Sequence, residues 1–154
     1  MLILVLPFAA QAGQKADAVL VEKSEARLSL VKKGRVIKEF NVVFGSNPEG
    51  PKQQMGDGRT PEGRYILDYK KADSDFYKAI HISYPNIKDL KRARALGVNP
   101  GNHIMIHGQP NGSDPGSAVS RKLNWTDGCI AVTNSAMDEI WEAVDAGTPI
   151  VIVP

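Results

Sequence analysis

The sequence predicts a mostly β, single-domain fold with one or two short helices. Three observations predict it. Short runs along the N-terminal half alternate apolar with polar residues and are rich in β-branched side chains. Helical spacing is confined to two later segments. The chain has 154 residues, 42% of them hydrophobic and 23% charged, the length and balance of one soluble globular domain with a substantial core. With no repeats, low-complexity tracts or linkers, residues 13–154 read as one unit.

Three strands open that unit: Ala18 to Glu22 ("AVLVE"), Ala26 to Val31 ("ARLSLV") and Arg35 to Phe44 ("RVIKEFNVVF"). The polar connections "KSE" and "KKG" suit hairpins, so the three form an antiparallel meander with one buried face. From Gly45 to Gly63 the chain holds five glycines and three prolines, a density that breaks both helix and strand. Loops of that length in compact domains are often functional. Strand patterning resumes in "RYILDY" (Arg64 to Tyr69) and "YKAIHISYP" (Tyr77 to Pro85).

Asn86 can cap a helix over "IKDLKRARAL" that Gly97 stops, with Ile87, Leu90 and Leu96 inward and Lys88, Lys91, Arg92 and Arg94 mostly outward. "HIMIH" (His103 to His107) reads as a strand. A second helix places Met137, Ile140, Trp141 and Val144 on one stripe, with Ser135 and Asp138 as a capping pair and Gly147 as its end. "PIVIVP" closes the chain as a last strand.

The first twelve residues, "MLILVLPFAAQA", carry no charge and end in a small-x-small pattern. They read as the remnant of a signal peptide without its basic start, or as a buried strand. Export puts the protein in the periplasm or at the cell wall. No other run approaches the ~20 apolar residues that span a bilayer. A net charge of +2, without basic and aromatic residues interleaved, argues against nucleic acid as a partner. The basic face of the first helix is a solvated surface or a contact for an anionic polymer.

Cys129 is the only cysteine. An unpaired thiol in an exported protein is either a reactive group or a small buried hydrophobe. It lies in "NWTDGCIAVTN", where a loop enters a strand. Gly128 lets the backbone approach a substrate closely, and the N–H groups of Asp127, Gly128 and Cys129 could form an oxyanion hole. A free thiol titrates near pH ~8.5 and needs a base or a cation to react at neutral pH. His81, His103 and His107 are the candidates for that base. A zinc site of His103, His107, Asp127 and Cys129 has suitable ligand types. Residues four apart on a strand lie ~13 Å from each other, however, too far for one ion without a bulge.

The string "IHG", a loop, then "TDGCIAVTN" resembles the signature of the L,D-transpeptidase (YkuD-type) catalytic domain. "GDGRTPEGRY" (Gly56 to Tyr65) and "SYPNIKDLKRARALGVNPGNHIMIHG" are similar to further stretches of that family, in the same order. The resemblance implies a β-sandwich or barrel that acts on the bacterial cell wall. It implies Cys129 as nucleophile, His107 as general base, and the backbone carbonyl of Gly108 as the group orienting the imidazole. The implied acyl donor is a peptidoglycan stem tetrapeptide, cut between the L-centre of residue 3 and D-alanine. The acceptor is an amine, or water for a carboxypeptidase or wall-peptide amidase that uses the same Cys129 and His107. No metal or organic cofactor is implied. A non-catalytic wall-binding module is the reading of another class.

Two departures stand out. Asp127 occupies a position where many members have histidine or arginine, and its charge would oppose thiolate formation if it faced the sulfur. Ala131 replaces an arginine common two residues after the cysteine. Arg59, Arg64 or Arg121 could supply a substitute guanidinium for a substrate carboxylate. His81, His103 and Thr126 are further candidates for substrate contacts. The "GDGRTPEG" loop (Gly56 to Gly63) and the Gln109 to Trp125 segment are candidates for the walls and lid of the cleft.

Overall fold

The structure, a computed structural model, describes residues 13–113 and 124–154. The signal-peptide reading of residues 1–12 and the candidate Arg121 lie outside them. Among the described residues, eight strands form a single sheet: β1 (Ala18–Glu22), β2 (Arg27–Lys32), β3 (Arg35–Asn41), β4 (Gly63–Lys71), β5 (Ala79–Ile82), β6 (Met105–His107), β7 (Ile130–Ala131) and β8 (Thr148–Val153). Helix α1 (Ile87–Leu96) lies between β5 and β6, and α2 (Asn134–Ala143) between β7 and β8. The strand order is β3-β2-β1-β8-β4-β5-β6-β7. The expected meander is present, with β1 antiparallel to β2 and β2 to β3. The last strand enters parallel to β1 and antiparallel to β4, joining the meander to the rest.

The sheet curls. Beyond β3 the backbone of Val43 exchanges two hydrogen bonds with Ala131 of β7, N to O at 3.0 and 2.9 Å. The two ends of the strand order thus meet, giving a barrel-like closure that leaves less open edge. Strand β3 therefore stops at Asn41 rather than running to Phe44, because Val42, Val43 and Phe44 turn into the core.

One face of the sheet carries Val19, Val21, Leu28, Leu30, Leu67, Ile80, Ile82, Ile106, Ile130, Ile150 and Ile152, all buried. Met137, Ile140 and Val144 of the α2 segment pack into the same cluster, as their spacing predicts. The cap differs from expectation. Thr133 Oγ1, not Ser135, accepts from the N–H of Ala136 at 3.1 Å. Asp138 instead accepts from the Tyr77 hydroxyl and from Lys78 Nζ, each at 2.8 Å. The helix ends at Ala143, ahead of Gly147.

Helix α1 has the expected ends: Asn86 and Asp89 form a capping box, and Gly97 stops it in the left-handed conformation at φ 66°. Its orientation overturns the expectation. Ile87, Leu90 and Leu96 are exposed, whereas Asp89 and Ala93 are buried. A polar anchor sets the face. The Asp89 carboxylate accepts from the Tyr65 hydroxyl (2.8 Å), the Asn86 N–H (3.0 Å) and Arg92 Nη2 (3.0 Å). Arg92, expected outside, turns inward and donates to the Lys52 carbonyl at 2.6 Å.

Candidate active site

Strand pairing brings the thiol and an imidazole to neighbouring strands. Ile106 pairs with Ile130 and His107 with Ala131 in the parallel β6–β7 ladder. Ile106 and Ile130 enter the core, so His107 and the residues flanking Ile130 belong to the opposite face. Cys129 and His107 line one cavity of about 520 Å³, together with Lys52, Phe76, His103, Trp125, Thr126 and Asp127 among others.

The imidazole is held from one side. His107 Nδ1 lies 2.7 Å from the Gly108 carbonyl oxygen. A carbonyl only accepts, so the proton is on Nδ1, and Nε2 of the neutral ring carries the free lone pair. Phe76 stacks on the ring at 4.0 Å between centroids, and Trp125 lies 5.8 Å away. His107 is buried. Burial holds its pKa below the usual 6.5, against an upward pull from the Gly108 carbonyl.

The thiol is also neutral at rest. Burial pushes the Cys129 pKa above its ordinary 9.0, while the Met105 backbone N–H favours the thiolate. Asp127 adds a further upward push and Lys52 a downward one, so the Asp127 charge acts in the direction expected from the sequence. The sulfur donates to the His103 carbonyl at 3.4 Å.

That carbonyl is placed by an unusual backbone. His103 adopts φ 57°, in the left-handed region, and precedes the strand rather than belonging to it. The expected five-residue strand is thus three residues long, and the strand pattern that holds His107 does not extend to His103. Its side chain still lines the cavity.

Glycines let backbones pass closely here. A Cβ on Gly128, which has φ +129°, would lie 2.5 Å from the Arg59 carbonyl oxygen. One on Gly108 would lie 2.7 Å from Asn134 Oδ1 and 2.8 Å from the Tyr77 oxygen. Asn134 Oδ1 also accepts from the Gln109 N–H at 2.9 Å, tying the segment after His107 to the start of α2.

The other candidates scatter. Thr126 Oγ1 accepts from the Gly128 N–H at 3.2 Å and donates to the Cys129 carbonyl at 2.7 Å. The Gly128 N–H is therefore engaged by this hydroxyl, which separates it from Asp127 and Cys129 as an oxyanion donor. His81 lies outside the cavity, paired through Nδ1 to Asp68 at 2.6 Å and stacked on Tyr69 at 4.5 Å. Arg59 and Arg64 do not line the cavity. Of the expected walls, Gly56 comes from the "GDGRTPEG" loop and Trp125 from the second segment, while Lys52 and Met55 line the cavity from the chain just before that loop. Much of that second segment lies outside the described residues.

Sequence reasoning missed Lys52 and Phe76, and placed Trp125 only at the end of a candidate wall segment. Trp125 sits four residues before Cys129, and an aromatic there was the available signal. Nothing in the sequence near Phe76 singled it out. Lys52 was one lysine in a polar loop.

Known proteins resemble this chain in sequence and in fold. The L,D-transpeptidase catalytic domain model, YkuD, matches residues 16–152. YafK of Escherichia coli (strain K12) is 36% identical over 132 residues, covering 82% of this chain and 46% of YafK. The chain thus spans under half the length of that relative. Among solved structures, a mutant form of the helical cell shape determining protein Pgp2 from Campylobacter jejuni superposes with a TM-score of 0.67. It is 25% identical, over 90% of this chain and 47% of the other. The L,D-transpeptidase from Xylanimonas cellulosilytica matches in fold at a TM-score of 0.58 and 16% identity, over 91% of this chain and 61% of the other. This chain belongs to the YkuD family of L,D-transpeptidase catalytic domains.

Proposed function

We propose that this domain is a cysteine acyltransferase acting on peptidoglycan stem peptides. The observation that carries the reading is the 2.7 Å contact of His107 Nδ1 with the Gly108 carbonyl. It commits one ring nitrogen and leaves Nε2 as the base, in a cavity shared with the sole thiol. Kinship with the family supports a wall peptide as substrate. The likeness to Pgp2, whose name records a part in helical cell shape, supports a role in wall remodelling. Export to the periplasm or wall follows from that substrate.

In the proposed reaction, Cys129 Sγ attacks the carbonyl carbon joining the L-centre of residue 3 to D-alanine. The thiol proton passes to His107 Nε2. The Asp127 and Cys129 N–H groups are the remaining candidates to stabilise the oxyanion. The carbon–nitrogen bond then breaks, the Nε2 proton goes to the departing D-alanine amine, and a thioester stays on Cys129. An amine from a second stem attacks the thioester, giving its proton to His107, which returns one to the sulfur as the amide forms. No step draws on a metal.

Incubating purified disaccharide-tetrapeptides with the protein and with Cys129→Ala, both in chelator, tests this by mass spectrometry. D-alanine release by the wild type alone is expected, with dimers among the products. Tripeptide monomers without dimers would make water the acceptor and the domain a carboxypeptidase. Release by neither protein would overturn the reading and favour a wall-binding module.

A further inference from the structure

Among the described residues, the cavity holding Cys129 is lined by one lysine and no arginine: Lys52. Its side chain is only 3% exposed, which is unusual for an ammonium. The group is fixed at both ends. Its carbonyl accepts from Arg92 Nη2 at 2.6 Å, and its Nζ donates to Asp57 Oδ1 at 2.8 Å and to the Gln54 carbonyl at 3.2 Å. Its Cε lies 3.5 Å from where a Cβ on Gly101 would stand, so the stem lies along that glycine.

An ammonium has three N–H donors. Two have acceptors here, and the third has none among the described residues. Asp57 balances the charge of Lys52, and its carboxylate is itself held by the N–H groups of Gln53 (2.8 Å), Gln54 (3.0 Å) and Arg59 (3.1 Å), so the ammonium is fixed in place while one of its donors stays open. Lys52 is thus a preorganised cation in the wall of the reaction cavity, with bonding capacity left over.

The donor in the proposed reaction has a matching feature. Its departing residue is D-alanine, whose free carboxylate is one carbon removed from the amide nitrogen being released. A cation in the same cavity as the nucleophile can read that carboxylate. Ala131 carries no charge, and Arg59 and Arg64 are not among the residues that line the cavity. We propose that Lys52 receives the terminal carboxylate of the acyl donor and so selects peptides that end one residue beyond the bond to be cut. This rests on the reading of the site given above. A pentapeptide would carry its carboxylate about 3.5 Å farther along the chain and would lose the contact.

The test is binding to the Cys129→Ala protein, by calorimetry, of a synthetic stem tetrapeptide and of the same peptide ending in a carboxamide. We expect the acid to bind about tenfold or more tighter than the amide, the range of one hydrogen bond to a charged group. K52M in that background should weaken the acid alone and bring the ratio to about unity. K52R should keep part of the preference. Amide affinity unchanged by K52M serves as the control for an intact cavity. Should K52M fail to fold, K52M/D57N, which removes the buried pair together, is measured in its place. Equal binding of acid and amide, no binding of the acid at millimolar concentration, or a preference that survives loss of Lys52 would each overturn the assignment. D-alanine release is scored separately on the wild type. Lys52-dependent binding without release would sink the chemistry alone, and release without carboxylate preference would sink the Lys52 assignment alone.

Discussion

His107 and Gly108 are chain neighbours, and the imidazole of the first is held by the carbonyl of the second, 2.7 Å from Nδ1. A backbone acceptor cannot itself take up the proton, so the tautomer is set by the chain and not by a titrating partner. Burial then lowers the His107 pKa and raises that of Cys129. At neutral pH the resting pair is thiol and neutral imidazole, with one proton between them. That state suits the proposed reaction, in which the imidazole takes the thiol proton and passes it to the leaving amine.

The pH dependence follows from those two directions. Below the His107 pKa, itself under 6.5, the base is occupied and kcat/KM falls. Above the Cys129 pKa, itself over 9.0, the shared proton is lost. The profile should be a broad plateau spanning both ordinary values, measured as D-alanine release from tetrapeptide. An acid limb centred above pH 6.5 would contradict this account of the buried imidazole.

Thr126 offers a separable test. Its hydroxyl joins the Gly128 N–H to the Cys129 carbonyl, bracing the turn that presents the sulfur. Thr126→Val keeps the shape but leaves the Gly128 N–H without its acceptor, a loss of about 1–3 kcal/mol. We expect kcat/KM to drop by about tenfold or more, since ~1.4 kcal/mol is tenfold, and Thr126→Ser to restore most of it. Wild-type turnover by the valine variant would show that the brace is dispensable.

How far the sequence could be read turns on whether periodicity or tertiary contacts decide each position. The meander and the α2 stripe are local patterns, and both appear where alternation and i, i+3, i+4 spacing put them. Helix α1 was misjudged because its apolar residues suggested a buried stripe. The capping carboxylate of Asp89, bonded to Tyr65 twenty-four residues away, chose the face instead. His103 failed for another reason: a left-handed φ ends the strand early, and nothing in "HIMIH" marks a non-glycine for that conformation. The pairing of His107 with Gly108 was legible through its motif. The cation in the cavity was not, because burial of Lys52 depends on Asp57 and on the fold of the long loop.

Asp127 should restrain the thiol. It is exposed at the edge of the cavity, and its charge raises the Cys129 pKa. Asp127→Asn should lower that pKa and speed alkylation by iodoacetamide at pH 7.5 by about 2–10-fold, the effect of a fraction of a pKa unit up to one unit. The gain should shrink in high salt, since the carboxylate is open to screening. A rate that is unchanged in low salt would remove Asp127 from the electrostatics of the sulfur.

The Lys52–Asp57 pair gives a stability prediction with a defined sign. Burial would raise the Asp57 pKa, but donation from Lys52 and from the Gln53, Gln54 and Arg59 N–H groups outweighs it, bringing the carboxyl down from 3.8 to about 2. The folded state therefore binds this proton less readily than the unfolded chain does. Its contribution is fully present above about pH 4 and is lost as pH falls through about 2. At pH 7, Asp57→Asn should lower the free energy of urea unfolding by about 1–2 kcal/mol. Near pH 2 the two proteins should come close together, because the wild-type carboxyl is then about half protonated and most of its contribution has gone. The comparison between variants isolates this group from the other carboxylates that titrate over the same range. A deficit that stays constant from pH 7 to pH 2 would assign the loss to shape rather than to charge.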